Sequence, residues 1–147
     1  MDVKIRNAKK ADVSLILDLL YQMQRPRPKT KSEKAKFIQQ ITKYISAHDS
    51  QIIVAVADSK IIGFLSMVFL WRLNRVNLEL YIPELVVSQN YRRLGVGRSL
   101  MQEAIAIGKN KNCFRIRLES GNQRKGAHGF YTRLGFRQES LSFNLEL

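Results

Sequence analysis

Residues Leu85 to Gly108 constrain this chain more than any other stretch. LVV reads as the end of a buried strand, YRRLGVGRS follows with glycines at 95 and 97, and Val96, Leu100, Ala104 and Gly108 then recur every fourth residue. That stripe must pack on a sheet, so the unit is a strand, a tight turn and an amphipathic helix. Free amides and the dipole at such a helix start favour negative charge, and the glycines let backbone approach a ligand closely. Arg92, Arg93 and Arg98 add local charge. The turn lacks the Gly-Lys-Ser/Thr ending of a nucleotide P-loop and the third glycine of a dinucleotide fingerprint. On glycine spacing alone, a phosphate grip and a plain turn stand level.

The rest of the chain supplies the sheet. VKIRNA alternates as a first strand, and Val13, Ile16, Leu17, Leu20 and Met23 mark a first helix that ends before RPRPKT. We read residues 25–31 as a surface loop, and residues 32–47 as a second helix with Phe37, Ile38, Ile41 and Ile45 on one side. QIIVAVADSKIIGFLSMVFLW holds two apolar runs around a hairpin turn. A strand over residues 77–87 is interrupted by Pro83, which marks an edge, a bulge or a local opening. CFRIRLES predicts a fifth strand, GAHGFYTRLGF a helix with Ala127, Phe130, Tyr131 and Leu134 on one face, and SLSFNLEL a closing strand. The order predicts one domain over residues 1–147, an α/β or α+β layer with a mixed sheet.

The charge is uneven. Of a net +13, residues 25–36 carry +5 and residues 91–137 carry +9, which leaves the remainder near neutral. An anionic partner is therefore expected: a nucleic acid fits the total charge, and a smaller polyanion bound by the second half alone fits as well. A single cysteine, Cys113, and two distant histidines give no metal-ligand spacing, so metal chemistry is not expected. The sequence has neither a bilayer-length apolar run nor a signal-peptide core, and a soluble cytoplasmic protein is the expectation.

ELVVSQNY before RRLGVG, and SGNQRKGAHGFYTRLGF one strand later, together resemble the GNAT superfamily of acetyl-coenzyme A-dependent N-acetyltransferases. The element order matches over nearly the full length, with the motifs between Glu84 and Phe136. Gln89 departs from the proline that many relatives carry there. The resemblance implies a GNAT fold, a mostly antiparallel mixed sheet flanked by helices, with two splayed strands forming the acetyl-coenzyme A cleft. It places the turn Arg92, Arg93, Leu94, Gly95, Val96, Gly97, Arg98 and Ser99 on the pyrophosphate. The pantetheine arm would lie along Leu85, Val86 and Val87 like an added strand, with an amide near Val86–Val87 polarising the thioester. Asn122 matches a polar position beside pantetheine, and a helix N-cap explains it as well.

Within that resemblance Tyr131 matches the usual general acid toward the departing thiolate, while Phe130 is read as core. A phenol with an ordinary pKa of about 10 stays protonated at neutral pH and can donate. Glu84 and Glu79 are the carboxylates near the splay, and either can take the amine's proton through a water. Each can also be a solvent-facing strand charge, a reading that weighs more on Glu79 than on Glu84. His128 is read as structural and Cys113 as a small buried residue. RPRPKTKSEKAK falls where relatives border the acceptor. The implied reaction is acetyl transfer to a primary amine, on an aminoglycoside, a polyamine or a protein, in a ternary complex. A basic RNA- or ribosome-associated module and an idle acetyl-coenzyme A sensor are the competing functions, and a homodimer is compatible with any of these readings.

Overall fold

The computed structural model describes residues 1–23, 25–121 and 124–147. The elements run β1 (Lys4–Asn7), α1 (Val13–Tyr21), α2 (Lys31–Ser46), β2 (Ser50–Ala57), β3 (Lys60–Leu70), β4 (Glu79–Ile82), β5 (Leu85–Val87), α3 (Val96–Asn110), β6 (Arg115–Leu118) and α4 (Lys125–Arg133). They pack as two units, Met1–Arg117 and Leu118–Leu147. Among the described residues no helix is long and apolar enough to cross a membrane.

In the first unit the sheet order is β1-β2-β3-β4-β6, with β5 also paired to β3. The β1–β2, β2–β3, β3–β4 and β3–β5 pairings are antiparallel. β2 and β3 are joined at Asp58 and Ser59, whose φ of 49° and 61° give the left-handed pair of a two-residue hairpin. Alternation then assigns the faces. Ile52, Val54, Phe64 and Val86 pack with Val13, Ile16 and Leu17 of α1 and Ile41 of α2. The intervening residues turn to α3, whose stripe of Val96, Leu100, Ala104 and Gly108 is buried as expected. α2 starts where Thr30 accepts a bond from the Glu33 amide at 3.0 Å, while Glu33 accepts one from the Lys29 amide at 3.2 Å.

The predicted 77–87 strand is two strands because of a bulge. Tyr81 pairs with Val68 and Leu85 with Leu65, so Ile82, Pro83 and Glu84 lie opposite Met67 and Ser66 alone. One extra residue shifts the alternation by one. Glu79 and Tyr81 before the bulge, and Glu84 and Val86 after it, therefore share the face that carries α1 and α2. Pro83 has no ladder donor to lose at such a place, which is why the sheet tolerates it.

The second unit holds α4, which ends in a Schellman motif. Phe136 N–H donates to the Tyr131 carbonyl at 3.1 Å, Gly135 N–H to that of Thr132 at 3.0 Å, and Gly135 takes φ 97°. The expected closing strand does not form: residues 136–147 have no regular structure. Leu141, Phe143, Leu145 and Leu147 are 73–117% exposed. Their alternation gives the segment strand propensity, but a strand exists only where a ladder partner takes its backbone groups.

Candidate active site

The RRLGVG turn enters α3 through two left-handed residues, Arg93 at φ 63° and Gly95 at φ 85°. Gly95 is the N-cap, and a Cβ built on it would meet no atom within 4 Å. Glycine is used here for its φ and not for want of room at its Cβ. Ser99 N–H bonds back to the Gly95 carbonyl at 3.0 Å, so Val96, Gly97 and Arg98 have the first amides, which an α-helix leaves without intrahelical acceptors. Arg92, Arg93, Leu94 and Arg98 are exposed around them.

β5 lies directly behind this turn, because Arg92 Nε donates to the Val87 carbonyl at 3.1 Å. Two bonds fix the phase of its ladder: Ser66 N–H to the Glu84 carbonyl at 3.0 Å and Ser88 N–H to the Ile62 carbonyl at 2.8 Å. Val86 therefore turns its polar backbone toward β3, and Leu85 and Val87 turn theirs to the opposite edge. Among the described residues no strand pairs that edge. Gly63 permits the close approach behind it, since a Cβ there would stand 2.8 Å from the Val86 carbonyl oxygen.

The two candidate carboxylates differ in kind. Glu79 is fully buried, bonded by Arg115 Nε and, at 3.0 Å, by Arg117 Nε, with Arg72 at 3.9 Å. Burial pushes its carboxyl up, but the bonds from Arg115 and Arg117 outweigh that and hold it below the usual carboxylate range. A carboxylate stabilised as an anion is a poor proton acceptor. Glu84 instead sits on the bulge, where Ser66 Oγ donates to its Oε1 at 2.8 Å and accepts from its amide at 3.0 Å.

Glu84 also lines a cavity of about 250 Å³, with Leu17, Leu20 and Tyr21 of α1, Phe37 of α2, and Arg25 and Pro26 of the connector. Tyr44 of α2 is close by. Burial, then the Glu84 carboxylate and the Tyr81 phenol, push its own phenol up. The connector thus does reach the pocket, through Arg25 and Pro26, and Arg27 stacks on Tyr21 at 4.7 Å.

In the second unit Tyr131 packs edge-on between Phe130 at 5.2 Å and Phe136 at 5.8 Å. Burial pushes its phenol up, against a smaller opposite pull from Arg124. His128 Nε2 donates to the Gly121 carbonyl at 2.8 Å, a structural use. Asn122 lies outside the described residues. Cys113 is half-buried, and burial pushes its thiol up, away from thiolate chemistry.

Sequence reasoning missed Ser66, Tyr44, Tyr21 and the Leu17–Leu20 wall. Ser66 left a signal, being the one polar residue inside IIGFLSMVFL. The others read as ordinary core positions of amphipathic helices.

The described residues thus bring together a strand edge that no strand pairs, the start of α3 and a bulge carboxylate in the wall of a largely apolar pocket. The chain belongs to the acetyltransferase (GNAT) family, whose model matches residues 17–136. It is 30% identical over 139 residues to an uncharacterized N-acetyltransferase of Methanocaldococcus jannaschii, covering 93% of this chain and 62% of that protein's length. It is 24% identical over 148 residues to the glucosamine 6-phosphate N-acetyltransferase of Trypanosoma brucei brucei, over 100% of this chain and 97% of the relative. The fold matches the crystal structure of a transcriptional regulator from Bacillus halodurans C-125, with a TM-score of 0.90 at 24% identity over 99% and 100% of the two chains.

Proposed function

We propose that the protein transfers an acetyl group from acetyl-coenzyme A to a primary amine by direct attack. The observation that carries this is the bulge. It leaves the Leu85–Val87 edge without a strand and sets the Glu84 carboxylate in the wall of a pocket. The residues fit coenzyme A, since the first α3 amides follow a glycine N-cap that crowds nothing, and an extended diamide arm can bond to the strand edge beside the Val87 carbonyl that Arg92 occupies. Amides of Val96, Gly97 and Arg98, with Arg93 and Arg98 side chains, would hold the pyrophosphate. Leu85 and Val87 would hold the arm, and the Val87 amide would polarise the thioester carbonyl.

In the reaction the amine nitrogen bonds to the carbonyl carbon as the carbon–sulfur bond breaks. Glu84 takes the proton the amine loses, directly or through a water. We assign this role to Glu84 rather than Glu79, whose carboxylate the arginines hold as an anion. Tyr131 is the proposed donor to the leaving thiolate, supported by a phenol that burial keeps protonated. All 147 residues would then serve as one catalytic domain.

The test is release of free coenzyme A from acetyl-coenzyme A with a panel of primary amines, compared with Glu84→Gln and Glu79→Gln. Loss with Glu84→Gln but not with folded Glu79→Gln supports the assignment. No release with any amine would remove the transferase reading. Steeply salt-dependent RNA binding in that case would favour the basic module instead.

A further inference from the structure

We infer that the amine acceptor is a monoamine on a compact apolar body, arylalkyl or branched alkyl, and not a polycation. The inference rests on the pocket at Glu84 being the acceptor site of the proposed reaction. Of the seven described residues that line it, Leu17, Leu20, Tyr21, Pro26 and Phe37 present hydrocarbon or ring, and Glu84 is the one acid among them. The seventh of these described residues is Arg25, and Arg27 stacks on the Tyr21 ring. Both arginines belong to a connector and helix start that carry +5 over residues 25–36.

The chemistry of that wall selects. One carboxylate can pair with one ammonium, and a second or third ammonium on the same molecule would meet hydrocarbon or a guanidinium. Burying an unpaired charge costs far more than a hydrophobic contact returns, and like charges at the rim add repulsion. An aminoglycoside or a polyamine is therefore rejected by the same surface that accepts a single amine. Size adds to the case against an aminoglycoside alone, because about 250 Å³ lies below the roughly 300–1,000 Å³ of pockets that hold drug-sized ligands. An aromatic ring or branched chain would fill the space between Leu20, Tyr21 and Phe37, leaving its amine at Glu84.

The test has two readouts. Coenzyme A release is measured with 2-phenylethylamine, isopentylamine, spermidine, kanamycin and glucosamine 6-phosphate, and the binding of each amine is measured by equilibrium dialysis against protein saturated with coenzyme A. We expect 2-phenylethylamine or isopentylamine to exceed spermidine and kanamycin by about tenfold or more in kcat/KM and in affinity, since one methylene in an apolar pocket alone gives about 10- to 200-fold discrimination. Phe37→Asp, which adds a second acid to the wall, should move the ratio about tenfold toward spermidine, the reverse of that margin. Phe37→Leu should preserve it. If Phe37→Asp does not fold, Arg25→Glu is the second variant and should shift the ratio the same way. Preferred turnover or binding of spermidine, kanamycin or glucosamine 6-phosphate by the unaltered protein overturns the inference and leaves acetyl transfer standing. Preferred binding of the apolar amines without any release sustains the inference and overturns the transfer reaction.

Discussion

Ser66 and Glu84 hold each other at both backbone and side chain: Ser66 Oγ donates to Glu84 Oε1 at 2.8 Å and accepts from the Glu84 amide at 3.0 Å, while Ser66 N–H donates to the Glu84 carbonyl at 3.0 Å. The serine is 2% exposed, so no water replaces it easily. The bulge and its carboxylate are thus positioned by one hydroxyl.

Ser66→Ala keeps the ladder bond and removes the two hydroxyl bonds. It leaves a half-buried amide unsatisfied, at a cost of about 1–3 kcal/mol. The carboxylate is then free to turn away from the amine, so kcat should fall further than the loss of folded protein explains. Urea denaturation alongside turnover per folded molecule checks this. Full activity in a destabilised Ser66→Ala would make the serine purely structural.

Acid should weaken the fold through two carboxylates. Glu79 is held low against its own burial by Arg115 and Arg117, and Asp12 chiefly by its hydrogen bond from Arg6, at 2.7 Å in the closest pair. Both folded pKa values lie below the unfolded ones. Their stabilisation is therefore present above the ordinary carboxylate pKa of about 4 and is lost as pH falls through the folded values. Glu79→Gln should flatten part of that acid limb and cost about 1.5–3 kcal/mol at neutral pH, since its arginines are partly exposed and rehydrate. Denaturation midpoints from pH 7 down to 3 measure both.

Two glycines separate ligand binding from folding. Gly95→Ala forces a side chain into φ 85° at about 1–2 kcal/mol, with open space around it, and should weaken coenzyme A binding by disturbing the first α3 amides. Gly63→Ala sets a methyl against the Val86 carbonyl oxygen at 2.8 Å and must push β5 from β3. It should cost more stability and also displace the Leu85–Val87 edge. Thermal midpoints with and without acetyl-coenzyme A distinguish them: Gly95→Ala should lose most of the ligand-induced rise while starting from the higher midpoint.

Tyr131→Phe keeps the edge-on contacts to Phe130 and Phe136 and removes one hydroxyl. Turnover should fall by about 10²-fold, the lower end for general acid catalysis, because a thiolate of pKa about 8.5 is a modest base. The Michaelis constant and the thermal midpoint should change little. Unchanged kcat would assign the proton to water or to the amine itself.

The parts of this protein that are legible in its sequence are those set by near neighbours. The α3 stripe at 96, 100, 104 and 108, the Asp58–Ser59 hairpin and the glycine turn follow from spacings within one element, and the GNAT motifs lie on that same local pattern. Tertiary structure decided what separates Glu79 from Glu84. Both are single acids five residues apart on one apolar stretch, but the partners of Glu79 come from 36 and 38 residues away and that of Glu84 from 18. It also decided that Pro83 is a bulge, which shifts Glu84 onto the face of Glu79. The closing segment did not become a strand although its alternation permits one. Periodicity records which side chains could share a face; pairing, charge and pocket depend on which distant backbone arrives to meet them.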